Sequence, residues 1–314
     1  MKLSRLFPAF GILMFAFILS GSNLGSVASN ISGADPFIMS FALLLFVPMI
    51  LVKALKWKIL VGIYNVPFGL GASAAAWLAG YAVGIITPAR LGDLYRAAYL
   101  GKKLSLGKSI TTIAIDRLID VIILFTMAAF SVTVFVGSYS GMGNVALAVY
   151  VCFSVFAVVS LLVMKKGATR FIMKPMFRIF MPDRLKGRAS SIFADFYDGI
   201  RHMKSNTGTV MVSVLLGIFS WFITIFQMYL VANAMGLGLG YGYMAMIMPI
   251  VLLLETLPIS VSGLGTRDAA MIFFFSLASL QADVAVSFSL MIFLVNYVLA
   301  GVAGFAVWLW RKPH

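Results

Sequence analysis

The sequence predicts an all-α polytopic membrane protein, with about six transmembrane helices and two re-entrant helical hairpins in an inverted repeat. Three observations carry this. Of 314 residues, 62% are hydrophobic and 11% charged, and uncharged apolar stretches repeatedly exceed the roughly 20 residues that cross about 30 Å of hydrocarbon. The stretches are continuous rather than alternating, which selects helices over a barrel, the two structures that satisfy backbone groups in lipid. The formal charge of +14 gathers beside apolar runs, as positive-inside bias and anionic head groups require, and forms no aromatic-interleaved patch for nucleic acid.

The elements follow in order. Lys2 and Arg5 precede a stretch, 6–27, read as an uncleaved first span in preference to a removable signal peptide. The loop after it, through Asp35, lacks Lys and Arg and is expected outside the cell. A second span, 36–52, leads to Lys53, Lys56 and Lys58, expected in the cytoplasm with Trp57 as an interfacial anchor. Residues 66–89 carry no charge before Arg90 and lie between Lys58 and Lys102, both expected inside, so they form the first re-entrant hairpin. A long helix, 106–136, a Gly/Ser turn, 137–143, and a returning span, 145–164, come next.

The segment from Lys165 to Lys204 holds ten Lys and Arg against three Asp, the principal cytoplasmic loop. Within it Ile192, Phe193, Phe196, Tyr197, Ile200 and Met203 share a helical face opposite Arg188, Asp195, Asp198 and Arg201, the pattern of an amphipathic anchor at the bilayer surface. A span, 210–235, a glycine-rich external turn, a second hairpin, 243–281, and a last span, 284–310, complete the chain. One membrane domain, 1–314, thus divides into a first half, 1–137, and an inverted second half, 144–314, which carries the basic loop 165–208. Both termini are expected in the cytoplasm of a cell-membrane protein.

Chemistry-bearing residues concentrate at the hairpin turns. Thr87 followed by Pro88 is a helix-start signal, so a half-helix beginning there would aim its positive end and Arg90 at one place, an anion site. Asp93, three residues from both Arg90 and Arg96, can form a charge ladder with them. In the second hairpin Gly263 and Gly265 permit close approach of a ligand, and Thr266 can cap a half-helix with Arg267 and Asp268 in its first turn. Arg90 and Arg267 would then share one phosphate, since a guanidinium matches phosphate oxygens bidentately. Asp116 and Asp120 share a face of the third span with Arg117 nearby, as counter-charges or proton carriers, and Glu255 is expected to partner Arg267. No Walker loop, metal-ligand cluster or nucleophile elbow is present; the lone Cys152 and the two histidines, His202 and His314, give no basis for a metal, a cofactor or histidine catalysis.

Three stretches together, Thr87-Pro-Ala-Arg-Leu-Gly-Asp93 with Arg96, Asp116-Arg-Leu-Ile-Asp120, and Pro258 through Ser262-Gly-Leu-Gly-Thr-Arg-Asp268, resemble the membrane domain of lysylphosphatidylglycerol synthase/flippases and their stand-alone relatives. The resemblance implies a flippase-like helical fold and movement of lipid head groups, and relatives are associated with polyprenyl-linked glycan pathways. Aspartate stands at 93, 116 and 268 where the family commonly has glutamate, so head-group preference does not transfer. The aminoacyl-transferase domain of full synthases has no counterpart here, and synthesis of lysylphosphatidylglycerol is not expected. The expected function is movement of an anionic phospholipid or polyprenyl-phosphate-linked lipid between leaflets. The alternatives are a membrane-embedded lipid-modifying enzyme using Asp116, Asp120 or Glu255, and an accessory partner of a glycosyltransferase or lipid synthase.

Overall fold

The computed structural model describes residues 6–85, 87–138, 142–163, 189–256, 260 and 262–310, and every regular element among them is helical. Four helical stretches there are long and apolar enough to cross a membrane: Pro36–Gly62, Leu106–Gly137, Thr207–Ala234 and Ala282–Trp310. Six such crossings were expected. Helix α1 (Leu6–Ser20) and helix α2 (Leu24–Ser32) replace the continuous span 6–27. The break falls at Asn23, whose Oδ1 accepts from the Ser26 N–H at 3.1 Å and caps α2.

Helices α3 (Pro36–Leu44) and α4 (Phe46–Gly62) run on as one span. Asp35 starts it, its Oδ1 accepting from Phe37 and Ile38 N–H at 2.8 and 3.1 Å, with Pro36 at the first helical position. The span ends at Gly62, not 52, which corrects the placement of Lys53 and Lys56 in a cytoplasmic loop. Both lie in the helix and are buried, on one inward stripe with Trp57 and Leu60 at helical spacing.

After α5 (Leu70–Ile85) the chain turns back along it as a 3-10 segment, Pro88–Tyr95, leading to α6 (Arg96–Leu100). The expected α half-helix at Thr87 is therefore 3-10, and Thr87 does not cap its first turn. Its hydroxyl instead donates to the Val83 carbonyl at 3.0 Å and accepts from the Gly92 N–H at 2.8 Å, closing the turn. A Cβ at Gly92 would run into the backbone of Val83 and Gly84, so only glycine permits this approach.

Helices α7 (Leu106–Ser138) and α8 (Met142–Val163) follow. Helix α9 (Ala189–Ser205) is the expected amphipathic helix, but its apolar face meets protein rather than the bilayer surface. Ile192, Phe196, Ile200 and Met203 are buried on α7, Thr111 donates to the Phe196 carbonyl at 3.1 Å, and Tyr64 donates to that of Gly199 at 3.1 Å. Most of the basic loop, 164–188, lies outside the described residues.

The remaining elements are α10 (Thr207–Ala234), α11 (Tyr241–Thr256), α12 (Thr266–Leu277), α13 (Ala282–Ile292), a π-helical turn, Phe293–Val298, and α14 (Leu299–Trp310). Helices α4 and α10 pack together. Helix α5 packs on α14 and α11 on α7, while α2 packs on α13 and α8 on α7. The core formed mainly by α7, α10, α11, α12 and α13 is apolar, with Ile225, Met248, Phe274 and Phe288 fully buried. Phe17, Phe37, Phe130, Phe219 and Trp310 point outward and exposed, an apolar surface of the kind that lipid covers around membrane-spanning helices.

Candidate functional site

Charge enters this apolar body at two places. The first joins four elements. Lys56 of α4 reaches Asp116 Oδ1 at 2.9 Å and Asp120 Oδ1 at 2.6 Å, four residues apart on one face of α7. Arg96 of α6 holds the other oxygen of Asp116 at 2.9 Å, its guanidinium carbon 5.3 Å from the Trp57 ring. Arg117 Nε lies 2.7 Å from Asp93 Oδ2, an ion-pair distance without aligned hydrogen-bond geometry. The charge ladder expected between Asp93 and Arg96 is loose, at 3.9 Å. Lys53 completes the group, its ammonium over the Trp221 ring at 4.5 Å.

The second place is one pair. Arg267, fully buried in the first turn of α12, donates through Nη1 to Glu255 Oε1 at 3.0 Å and through Nε to Ser289 at 2.7 Å. The Tyr297 hydroxyl donates to the other oxygen of Glu255 at 2.7 Å, and the guanidinium carbon lies 5.7 and 5.6 Å from the Phe293 and Tyr297 rings. Asp268 belongs to the helix end: its Oδ2 accepts from the Gly265 N–H at 2.7 Å, stabilising the start of α12. Thr266 bonds Ser260 at 2.7 Å and leaves the cap to Gly265. Gly263, with φ of 76°, takes a conformation other residues avoid, and a Cβ there would lie 2.6 Å from Glu255 Cγ.

The two turns touch. Ser262 of the second donates to the Ile85 carbonyl at the end of α5 at 2.7 Å. Between the charge groups lies a chamber of about 60 Å³, lined by Lys53 and Arg117 on one side, Glu255 and Asn296 on the other, with Trp221 and Tyr297 among its walls. The Arg90 side chain, half of the expected shared phosphate site, lies outside the described residues. Its expected partner Arg267 is already neutralised by Glu255.

Lys53, Lys56, Ser289, Asn296 and Tyr297 were not among the sequence candidates. The two lysines carried a signal, since positions 53, 56, 57 and 60 form one helical stripe. The residues from α13 and the π-helical turn carried none, because only tertiary packing brings them to Glu255. Away from the spans, Asp198 of α9 is held below the usual carboxylate range by its hydrogen bond from Lys108, whose Nζ lies 3.0 Å away, and burial pushes the Tyr64 hydroxyl up.

A family model described as the lysylphosphatidylglycerol synthase TM region matches residues 6–304. A UPF0104 membrane protein of Methanocaldococcus jannaschii is 24% identical over 311 residues, covering 94% of this chain and 91% of that protein. A second UPF0104 membrane protein, of Methanothermobacter thermautotrophicus, is 22% identical over 311 residues, covering 94% and 92%.

Proposed function

The chain belongs to the lysylphosphatidylglycerol synthase TM region family, and from that membership we propose that it moves an anionic phospholipid or polyprenyl-phosphate-linked lipid between leaflets. The observation that carries the reading is buried charge gathered around a polar chamber where two helical turns meet, inside an otherwise apolar body. Ionisable residues at membrane depth are costly and mark substrate paths. Against an enzyme stands the engagement of every central acid. Asp93, Asp116, Asp120 and Glu255 each lie against a cation, and Asp268 holds a helix end.

The packing supports two inverted halves, 1–137 and 144–314, with hairpins that re-enter rather than cross. The turn formed by α5 leans on the final helix, α14, and α11 leans on α7, the final helix of the first half; α2 on α13 and α8 on α7 repeat the exchange. Rocking of the hairpins would part the Ser262 contact to Ile85, opening the glycine turn with Gly263, Gly265 and Thr266 and the turn that carries Thr87 and Arg90. In this reading the termini and the basic loop face the cytoplasm.

The test is exchange of fluorescent phosphatidylglycerol between leaflets of proteoliposomes. Faster exchange than in protein-free vesicles is expected. Recovery of a chemically altered lipid would turn the reading toward an enzyme, and absence of exchange by folded protein, for this lipid and for a polyprenyl phosphate, would sink it.

A further inference from the structure

Three hydrogen-bond donors line the small chamber without an acceptor among the described residues. Lys53 is 8% exposed, yet no carboxylate of those residues lies within 4.0 Å of its ammonium, which rests against the Trp221 ring. Nε1 of Trp221 and Nδ2 of Asn296 are buried and unpartnered as well. Buried donors are almost always satisfied, and a lone ammonium at membrane depth is the costliest kind to leave unmatched. These donors come from α4, α10 and the π-helical turn, elements far apart in sequence, so their convergence is a property of the fold. Glu255 also lines the chamber but adds no free negative charge, since Arg267 and Tyr297 hold its oxygens.

Tyr297 also stands in the wall of a second cavity, an apolar groove of about 680 Å³ between α5 and α14, lined by Val83, Tyr95, Gly301, Phe305 and Trp308. The groove is in the size range that ligands occupy, whereas the chamber is about tenfold smaller and takes only a compact group. A compact anion joined to an apolar chain fits both.

We propose that the chamber binds the phosphate of a lipid whose chain lies in the groove, with Lys53 as the principal charged ligand, Trp221 and Asn296 as neutral donors, and Tyr297 as the post around which the head group passes. The proposal rests on the translocator reading of the same interior and places the ligand on Lys53 rather than on Arg267. Because no carboxylate of the described residues pairs with Lys53 within 4.0 Å, and the nearby Asp116 and Asp120 keep Lys56, its removal leaves no carboxylate stranded.

The experiment is native mass spectrometry of the full chain in neutral detergent, titrated with dioleoylphosphatidylglycerol, with glycerol 3-phosphate and with inorganic phosphate. Wild type should bind phosphatidylglycerol at least tenfold more tightly than either soluble phosphate. Lys53→Gln should lose about tenfold in that affinity with its thermal midpoint retained, and Lys53→Arg should recover most of the loss. Gly301→Leu, which fills the groove, should weaken phosphatidylglycerol but not inorganic phosphate. If Lys53→Gln does not fold, Asn296→Leu takes its place with a several-fold loss expected. Unchanged phosphatidylglycerol affinity in the folded variant overturns the Lys53 site, while leaflet exchange by wild type would leave the translocator reading standing. Soluble phosphate bound as tightly as the lipid overturns the groove. Failure of wild type to bind any phosphate-bearing lipid removes both readings.

Discussion

The two turns store charge differently. At the first, Lys56, Arg96 and Arg117 are cross-braced with Asp93, Asp116 and Asp120 through four elements, and Lys53 stands beside them as a surplus cation. At the second, a single buried pair, Arg267 and Glu255, is closed by one serine and one tyrosine. A braced network resists rearrangement because Lys56, Arg96, Asp93 and Asp116 each face two opposite charges, whereas a single pair with neutral neighbours can part and re-form. In the proposed translocation the first turn is then the fixed frame and the second the element that moves, with the chamber between them.

Removing the brace should do most damage. Asp116→Ala removes the one acid that two buried cations share, leaving Arg96 only its loose contact with Asp93 and Lys56 only Asp120, at a cost of roughly 3 to 5 kcal/mol, and the yield of monodisperse protein in detergent should collapse. A well-folded, wild-type-stable Asp116→Ala protein would end the idea of a frame. Arg267→Ala should fall at the lower end of that range, about 3 kcal/mol, because Tyr297 still serves one oxygen of Glu255. The double variant Arg267→Ala/Glu255→Ala should be more stable than Arg267→Ala alone, a coupling of about 0.5 to 3 kcal/mol by thermal unfolding. Strict additivity would mean the pair is not a unit.

Gly263→Ala probes the turn itself. Its positive φ and the crowding on Glu255 should cost about 1 to 3 kcal/mol, and leaflet exchange should slow more than the loss of folded protein explains.

The smallest effect belongs to the periphery, where Lys108 bonds Asp198 across the junction of α9 and α7. The Asp198 carboxyl titrates lower in the folded protein than an ordinary aspartate. Its contribution is therefore complete above roughly pH 4 and drains away as pH falls through the lowered value. Hydrogen exchange in α9 should rise modestly below that pH and with added salt. Asp198→Asn should raise exchange slightly at neutral pH and remove the acid dependence.

Much of this architecture could be read before any coordinates. The apolar length of α7 and α10, the four-residue spacing of Asp116 and Asp120, and the isolation of Glu255 beside an arginine-bearing turn are all local patterns. Lys53 and Lys56 misled because a charge counted by the positive-inside rule looks the same whether it ends a span or lies inside one. The first hairpin's 3-10 form was hidden as well, since it depends on Gly92 meeting the backbone of Val83 and Gly84. The apolar face of α9 could equally have met lipid; which surface it covers is decided by Gly107 and Gly199, which clear room for close packing against α7.

The π-helical turn, Phe293–Val298, sets a phase relation along the last crossing. An α-helix advances about 100° per residue, and a π turn absorbs roughly one extra residue. Asn296 and Tyr297 reach the chamber while Gly301 and Gly304 face α5, two orientations held in step by that surplus. Shortening the turn by one residue would spin one set away from its target while leaving the other in place. The helix is in effect a crankshaft with two throws, and its offset is written in the count of residues between them rather than in the identity of any one.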